Sequence, residues 1–270
     1  MSLFRRKKQL GIHALNNEHM SGSESALPGS GDGGWKSPSY SECRSITLDQ
    51  DVLDEHKIIG LLPDPPELDH YRLLRTQIQQ RAMAKGWNTI MVTSAHPGDG
   101  KTVTSINLAF MFAREYDYTA LLVDCDLRRQ SVHKYLGYNS AAGIGDYLLK
   151  DTPLNDLIVW PGVEKLTIIS GGRIIRNSTE LLGSPKMKDL VNEMKNRYEN
   201  RFIIFDVPPL LVRSDAVAFA PLVDAVLFVV AAGTTPIFDV QKAIDLIPRE
   251  KFLGFVLNKI KGKGSYYGYY

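Results

Sequence analysis

A chain of 270 residues with 44% hydrophobic and 23% charged residues carries enough apolar material for one sizeable core under an ordinary solvated surface. Its net charge of +2 gives no global case for nucleic-acid binding, and the longest apolar run, Ala225 to Ala232, is far short of the roughly 20 residues a bilayer-spanning helix needs. Two cysteines, Cys43 and Cys125, and histidines scattered at 13, 19, 56, 70, 96 and 133 speak against a disulfide framework and a zinc site.

Residues 1–66 are rich in Ser, Gly, Pro and charge and lack helical or strand periodicity, so a largely disordered N-terminal linker is expected there. Its basic start, Arg5, Arg6, Lys7 and Lys8, precedes no apolar h-region and is no secretory signal; it is either solvated or a contact for anionic lipid or a partner. The chain is expected in the cytoplasm. From Glu67 the pattern changes. Helices are predicted over Glu67–Met83, Lys101–Glu115, Ser184–Tyr198, Ser214–Pro221 and Phe238–Ile247. They alternate with strands over Thr89–Thr93, Thr119–Asp124, Leu166–Ser170, Phe202–Asp206, Ala225–Ala231 and Leu253–Leu257. Strands apolar throughout require cover on both sides, so the domain over 67–258 reads as α/β, a mostly parallel sheet with helices on both faces. Residues 259–270, rich in Lys, Gly and Tyr, read as a flexible tail.

The strand at Thr89 runs through Ser94-Ala95-His96-Pro97-Gly98-Asp99-Gly100-Lys101-Thr102 into a helix, the context that a P-loop (Walker) motif requires. Such a loop binds ATP with magnesium. Amides from Gly98 through Asp99 and Gly100 to Thr102 and Val103 would face the phosphates at a helix N-terminus, Lys101 would add a point charge, and Thr102 a hydroxyl for Mg²⁺. Parallel strands deliver further ligands at their carboxyl ends: Asp124 and Asp126 after one strand, Asp206 after another. One or two of these carboxylates suffice for magnesium, leaving another to accept a proton or orient water. Arg128 is placed to steady a phosphoryl group, whereas Arg129 is as readily a surface residue. Asn258 either offers its amide to the edge of adenine or merely forms a turn.

Three motifs in order, the P-loop, Val123-Asp124-Cys125-Asp126-Leu127-Arg128 and Asp206-Val207-Pro208-Pro209, make the chain resemble the bacterial tyrosine autokinases of capsule and exopolysaccharide systems, from about Asp69 to Tyr270. The resemblance implies a P-loop NTPase fold and an ATP-dependent protein-tyrosine kinase that regulates polysaccharide synthesis or export. It implies magnesium on Thr102, Asp126 and Asp206, Lys101 on the phosphates, and Asp124 as base toward the tyrosine hydroxyl. That family phosphorylates a C-terminal tyrosine cluster, matched here by Tyr266, Tyr267, Tyr269 and Tyr270. It assembles into rings through a helix bearing Glu-x-x-Arg-x-x-Arg, and here Asp69, Arg72 and Arg75 stand at those positions with the acid one methylene shorter. Each copy would then present its tail to a neighbour. The resemblance further implies a separate transmembrane activator that recruits the chain to the inner face of the membrane.

The sequence departs from that pattern at Asn177-Ser178, where the family commonly places proline after the asparagine. His96 stands where partition and cell-positioning ATPases of the broader P-loop class carry a signature lysine. A nucleotide-dependent switch of that second kind is the alternative function, and both His96 and the tyrosine tail weigh against it.

Overall fold

The computed structural model describes residues 43–62, 65–198 and 200–260, so the basic N-terminus and the tail tyrosines lie outside the described residues. In chain order the elements are β1 (Arg44–Ser45), α1 (Gln50–Glu55), α2 (Leu68–Lys85), β2 (Thr89–Ser94), α3 (Lys101–Ala113) and β3 (Thr119–Asp124). Then come α4 (Val132–Tyr135), α5 (Ile144–Lys150), α6 (Leu154–Leu157), β4 (Ile158–Trp160), β5 (Leu166–Ile169), α7 (Ser178–Leu182) and α8 (Pro185–Asn196). The chain continues through β6 (Arg201–Asp206), α9 (Asp215–Phe219), β7 (Ala225–Ala231), α10 (Ile237–Ile244) and β8 (Phe252–Asn258).

The strands form one sheet of eight in the order β1-β4-β5-β3-β6-β2-β7-β8, parallel except where β4 meets β5. Alternation along the central strands explains why the fold has a layer on each side. Ile90, Val92, Leu122, Ile204 and Leu227 point to one face, where they pack with Leu53 of α1, Ile78 of α2 and Ile106 and Phe110 of α3. Met91, Leu121, Val123, Phe205 and Phe228 point to the other, against Leu148 of α5, Leu190 and Val191 of α8, Phe219 of α9 and Val240 of α10. Both faces are dry, so every residue of β2, β3 and β6 is buried, as a parallel sheet between two helical layers demands. Phe112 of α3 stacks on Phe202 of β6 at 4.1 Å between ring centroids. Burial of each such side chain contributes about 1.5–3 kcal/mol.

Each of the expected strands is present, its ends within a residue of the expected ones. Four of the five expected helices are shorter than their periodicity suggested, whereas α2 runs two residues past its expected end; Pro221 closes the one after Ser214 through a single 3₁₀ turn. A larger correction concerns the boundary at 66, because residues 43–62 belong to the fold. Leu53 and Ile58 are each only 1% exposed. Asn107, buried in α3, accepts the amides of Ile59 (2.8 Å) and Gly60 (3.0 Å) and donates to the carbonyl of Lys57 (3.1 Å), pinning the segment to the helix. Gly60 then lies so close to Phe110 that an added Cβ would meet its Cβ at 2.4 Å. Upstream, Arg44 and Ser45 extend the sheet by pairing with Val159 and Trp160. No helix among the described residues is long and apolar enough to cross a membrane.

Candidate functional site

The carboxyl ends of β2, β3 and β6 lie side by side, with Val92 and Asp124 both in register with Asp206, so their following loops converge above the centre of the sheet. After β2 the chain folds back over the start of α3. Gly100 takes φ +100° at this turn, and a Cβ there would sit 1.9 Å from the Asn258 side-chain nitrogen, so the position requires glycine. Asp99 fixes the loop from within, accepting the amide of His96 (2.9 Å) and the hydroxyl of Thr235 (2.7 Å).

Beneath the loop is a buried charge cluster. Lys101 Nζ lies 3.3 Å from Asp206 Oδ2 and 3.5 Å from Asp126 Oδ2. Thr102 donates its hydroxyl to Asp206 Oδ2 at 2.7 Å, and Ser105 donates to Asp206 Oδ1 at 3.2 Å. Asp124 is fully enclosed. Its Oδ1 accepts the amide of Asp126 (3.0 Å), and its Oδ2 accepts those of Ser131 (3.0 Å) and Val132 (3.1 Å). Burial, reinforced by the Asp206 charge and only partly offset by Lys101 and the Val132 amide, lifts the Asp124 carboxyl to a pKa of about 7. Burial likewise raises Asp206 above the ordinary carboxylate range despite Lys101 and Thr102. Burial acts to lower Lys101, but the surrounding Asp206, Asp126 and Asp124 outweigh it and hold the ammonium above its usual value.

A cavity of about 510 Å³ opens over this cluster, lined by Gly98, Gly100, Lys101, Thr102, Val103, Asp126 and Arg128 and rimmed by Arg129, Arg213 and Lys259. Arg128 is held by its Nε, which donates to the Ser178 hydroxyl at 2.8 Å. Most of the expected site is therefore brought together, with Asp124, Asp99 and Asp206 one layer behind the lining. Of the two expectations for Asn258 the turn is seen: its amide nitrogen donates to the carbonyl of Asp99 (2.9 Å) and its oxygen accepts the amide of Lys259 (2.8 Å), so it braces the P-loop. It also borders a second cavity of about 480 Å³, walled by Leu53, Ile58, Ile59, Leu62, Tyr71 and Val103. Val103 is common to both cavities.

Magnesium fits the donor set. Thr102, Asp126 and Asp206 supply hard oxygens, and the cluster sets one ammonium against several carboxylates, a surplus of negative charge that invites a second cation. Among the described residues no group of three or more His, Cys, Asp and Glu side chains is arranged to cage a metal alone, so phosphate oxygens and water would complete the octahedron.

On α2, Arg72 pairs with Asp69 at 2.7 Å on an exposed face, whereas Arg75 is half-buried against Glu115 of the same chain at 2.5 Å. His96 pairs through Nε2 with Asp239 of α10 at 2.9 Å. Sequence reasoning missed Ser178, Thr235, Ser131 and Arg213 at the site. Each is a common surface residue type in a loop or short helix, placed here only by tertiary packing.

The AAA domain family matches residues 87–247. The chain is 34% identical over 205 residues to the tyrosine-protein kinase YwqD of Bacillus subtilis (strain 168), spanning 75% of this chain and 85% of that protein. Among solved structures, the kinase domain of the Escherichia coli tyrosine kinase ETK superposes with a TM-score of 0.71 at 27% identity, covering 84% of this chain and 94% of that one. The chimerical protein CapA2B2 superposes with a TM-score of 0.71 at 29% identity, covering 81% and 94% respectively.

Proposed function

This chain belongs to the bacterial tyrosine-protein kinases, built on the AAA domain, and on that premise we propose that it transfers the γ-phosphoryl group of ATP to tyrosines of its own C-terminal cluster, Tyr266, Tyr267, Tyr269 and Tyr270, in the control of capsule or exopolysaccharide synthesis or export. The observation that carries this reading is the buried cluster of Lys101, Thr102, Asp126 and Asp206 beneath a P-loop. The phosphates occupy the larger cavity, where the amides of Gly98 to Val103 and the Lys101 ammonium face them. The base extends past Val103 into the second, mostly apolar cavity, whose volume of about 480 Å³ suits a purine. Magnesium on Thr102, Asp126 and Asp206 would supply charge neutralisation between the phosphates and the carboxylates.

Asp124 takes the tyrosine proton in this scheme, which requires the loop from Asp126 to Val132 that encloses it to open toward the hydroxyl. Its pKa of about 7 matches the working range of a general base. Three backbone amides occupy three of its roughly four acceptor positions, leaving one for the proton. Arg128 lines the cavity and is available to the charge that develops on the transferred group.

The family resemblance supports the remainder of the proposal. Copies assemble through the Asp69, Arg72 and Arg75 face of α2 and present tails to one another. For Arg75 this means exchanging Glu115 of its own chain for an acid on a neighbour. A separate transmembrane activator would draw the cytoplasmic chain to the membrane. The partition-type switch is disfavoured, because the position that would carry its signature lysine is His96, already paired with Asp239.

Incubating the full chain with magnesium and ATP, with and without a candidate activator segment, tests the reaction. Phosphotyrosine is the expected product. Phosphate release with no phosphotyrosine under either condition, accompanied by nucleotide-dependent dimers, would favour the switch.

A further inference from the structure

We propose that Ser178 and Asp215 are positioning residues for phosphoryl transfer that act through Arg128, an inference that rests on the kinase reading of the site. Arg128 lines the phosphate cavity but reaches it from a loop, and a long side chain on a loop samples many rotamers unless something holds it. The Ser178 hydroxyl does so, accepting Nε of the guanidinium at 2.8 Å. That hydroxyl has one proton, and it goes to Asp215 Oδ2 at 2.7 Å. The proton's direction turns the serine lone pairs away from Asp215 and toward Arg128, so the acceptor role toward arginine is imposed by the carboxylate. Thr179 donates to the other oxygen of Asp215, a separate cross-link between α7 and α9.

Ser178 and Asp215 are both 0% exposed, and burying a carboxylate is costly unless its surroundings use it. Here the hydroxyls bind it directly, and Arg128 receives its influence one bond further on. The relay depends on α7 and α9 meeting at their first residues, and the two helices stay close to their far ends, where a Cβ on Gly183 would lie 3.3 Å from that of Ala218. With Nε fixed, the guanidinium plane is set at the cavity that Arg128 lines. A guanidinium held in one orientation stabilises developing charge without reorganising at the moment of transfer.

A purely structural role would be a cross-link between α7 and α9, and the test separates the two. Ser178→Ala, Thr179→Val, Arg128→Ala and the double variant Arg128→Ala/Ser178→Ala are compared in the full chain for turnover and for ATP affinity. Turnover is read both as phosphotyrosine formed and as phosphate released. The relay predicts that Ser178→Ala lowers turnover about 10- to 100-fold with ATP affinity unchanged. Ser178→Thr, which keeps the hydroxyl, restores it; Thr179→Val, which cuts only the cross-link, stays near wild type; and Ser178→Ala adds nothing once Arg128 is gone. Equal losses in Ser178→Ala and Thr179→Val, or an undiminished effect of Ser178→Ala on the Arg128→Ala background, would overturn the relay. A wild-type chain that releases phosphate without forming phosphotyrosine would instead overturn the kinase reading, and the same variant series on phosphate release would still decide the relay.

Discussion

The two ends of the central sheet each carry partly or fully buried aspartates, and they treat them in opposite ways. At the amino end, Asp224 precedes β7 and accepts the amides of Asn88 (3.0 Å) and Thr89 (3.1 Å), the Thr89 hydroxyl (2.8 Å) and the ammonium of Lys195. Burial pushes its carboxyl up, but these donors outweigh burial and leave its pKa below the ordinary value. At the carboxyl end, Asp124, Asp126 and Asp206 share a single ammonium, Lys101, and burial with mutual repulsion pushes Asp124 to about 7. The residue type is the same; the deeper burial of Asp124 and the crowding of three carboxylates round one ammonium separate the outcomes. The amino end is satisfied and stabilises the fold; the carboxyl end is left short of positive charge, the condition in which a site binds cations and moves protons.

Breaking the carboxyl end should therefore cost activity, and breaking the amino end should cost stability. Lys101→Ala should lower phosphoryl transfer about 10²–10³-fold or more, the scale of losing one preorganised electrostatic contact, while thermal unfolding remains cooperative. Asp224→Ala should do the reverse. It strands the Asn88 and Thr89 amides and Lys195, costing about 2–3 kcal/mol in urea unfolding, with turnover per folded molecule unchanged.

A smaller effect, in pH, sharpens the contrast. Because the folded pKa of Asp124 is raised, the nucleotide-free protein gains stability from that group below the ordinary carboxylate pKa and loses it as pH climbs through about 7. The melting temperature of wild type should accordingly fall between about pH 4 and 7. Asp124→Asn should flatten the curve, and Asp224→Ala should not. For Asp224 the sign is opposite: its lowered pKa gives stability that is present above the ordinary carboxylate value and is lost on acidification.

Much of the carboxyl end was legible in the sequence, since β2, β3 and β6 are uninterrupted apolar runs that each deliver their motif within a few residues. Lys101, Thr102, Asp126 and Asp206 needed only that local context. Asn258 allowed two readings because a strand-end amide has no local signal for whether it meets a ligand or the carbonyl of Asp99, far away in the chain. Residues 43–62 escaped for a similar reason. Their elements are short and their apolar residues follow neither helical nor strand period; they are fixed by the burial of Leu53 and Ile58 and by Asn107 from the middle of α3, a polar residue that periodicity counts as an interruption. Ser178 and Asp215 come from separate short helices, and only the packing of α7 on α9 makes them neighbours of Arg128.

Mixing two chains, neither able to label its own kind, tests the central claim most directly. One is the Lys101→Ala chain with its tail intact, the other a chain with an intact site whose Tyr266, Tyr267, Tyr269 and Tyr270 are all changed to Phe, incubated together with magnesium, γ-labelled ATP and any activator segment. The account predicts label on the tail tyrosines of the Lys101→Ala chain. Consumption of ATP with both chains unlabelled would contradict it.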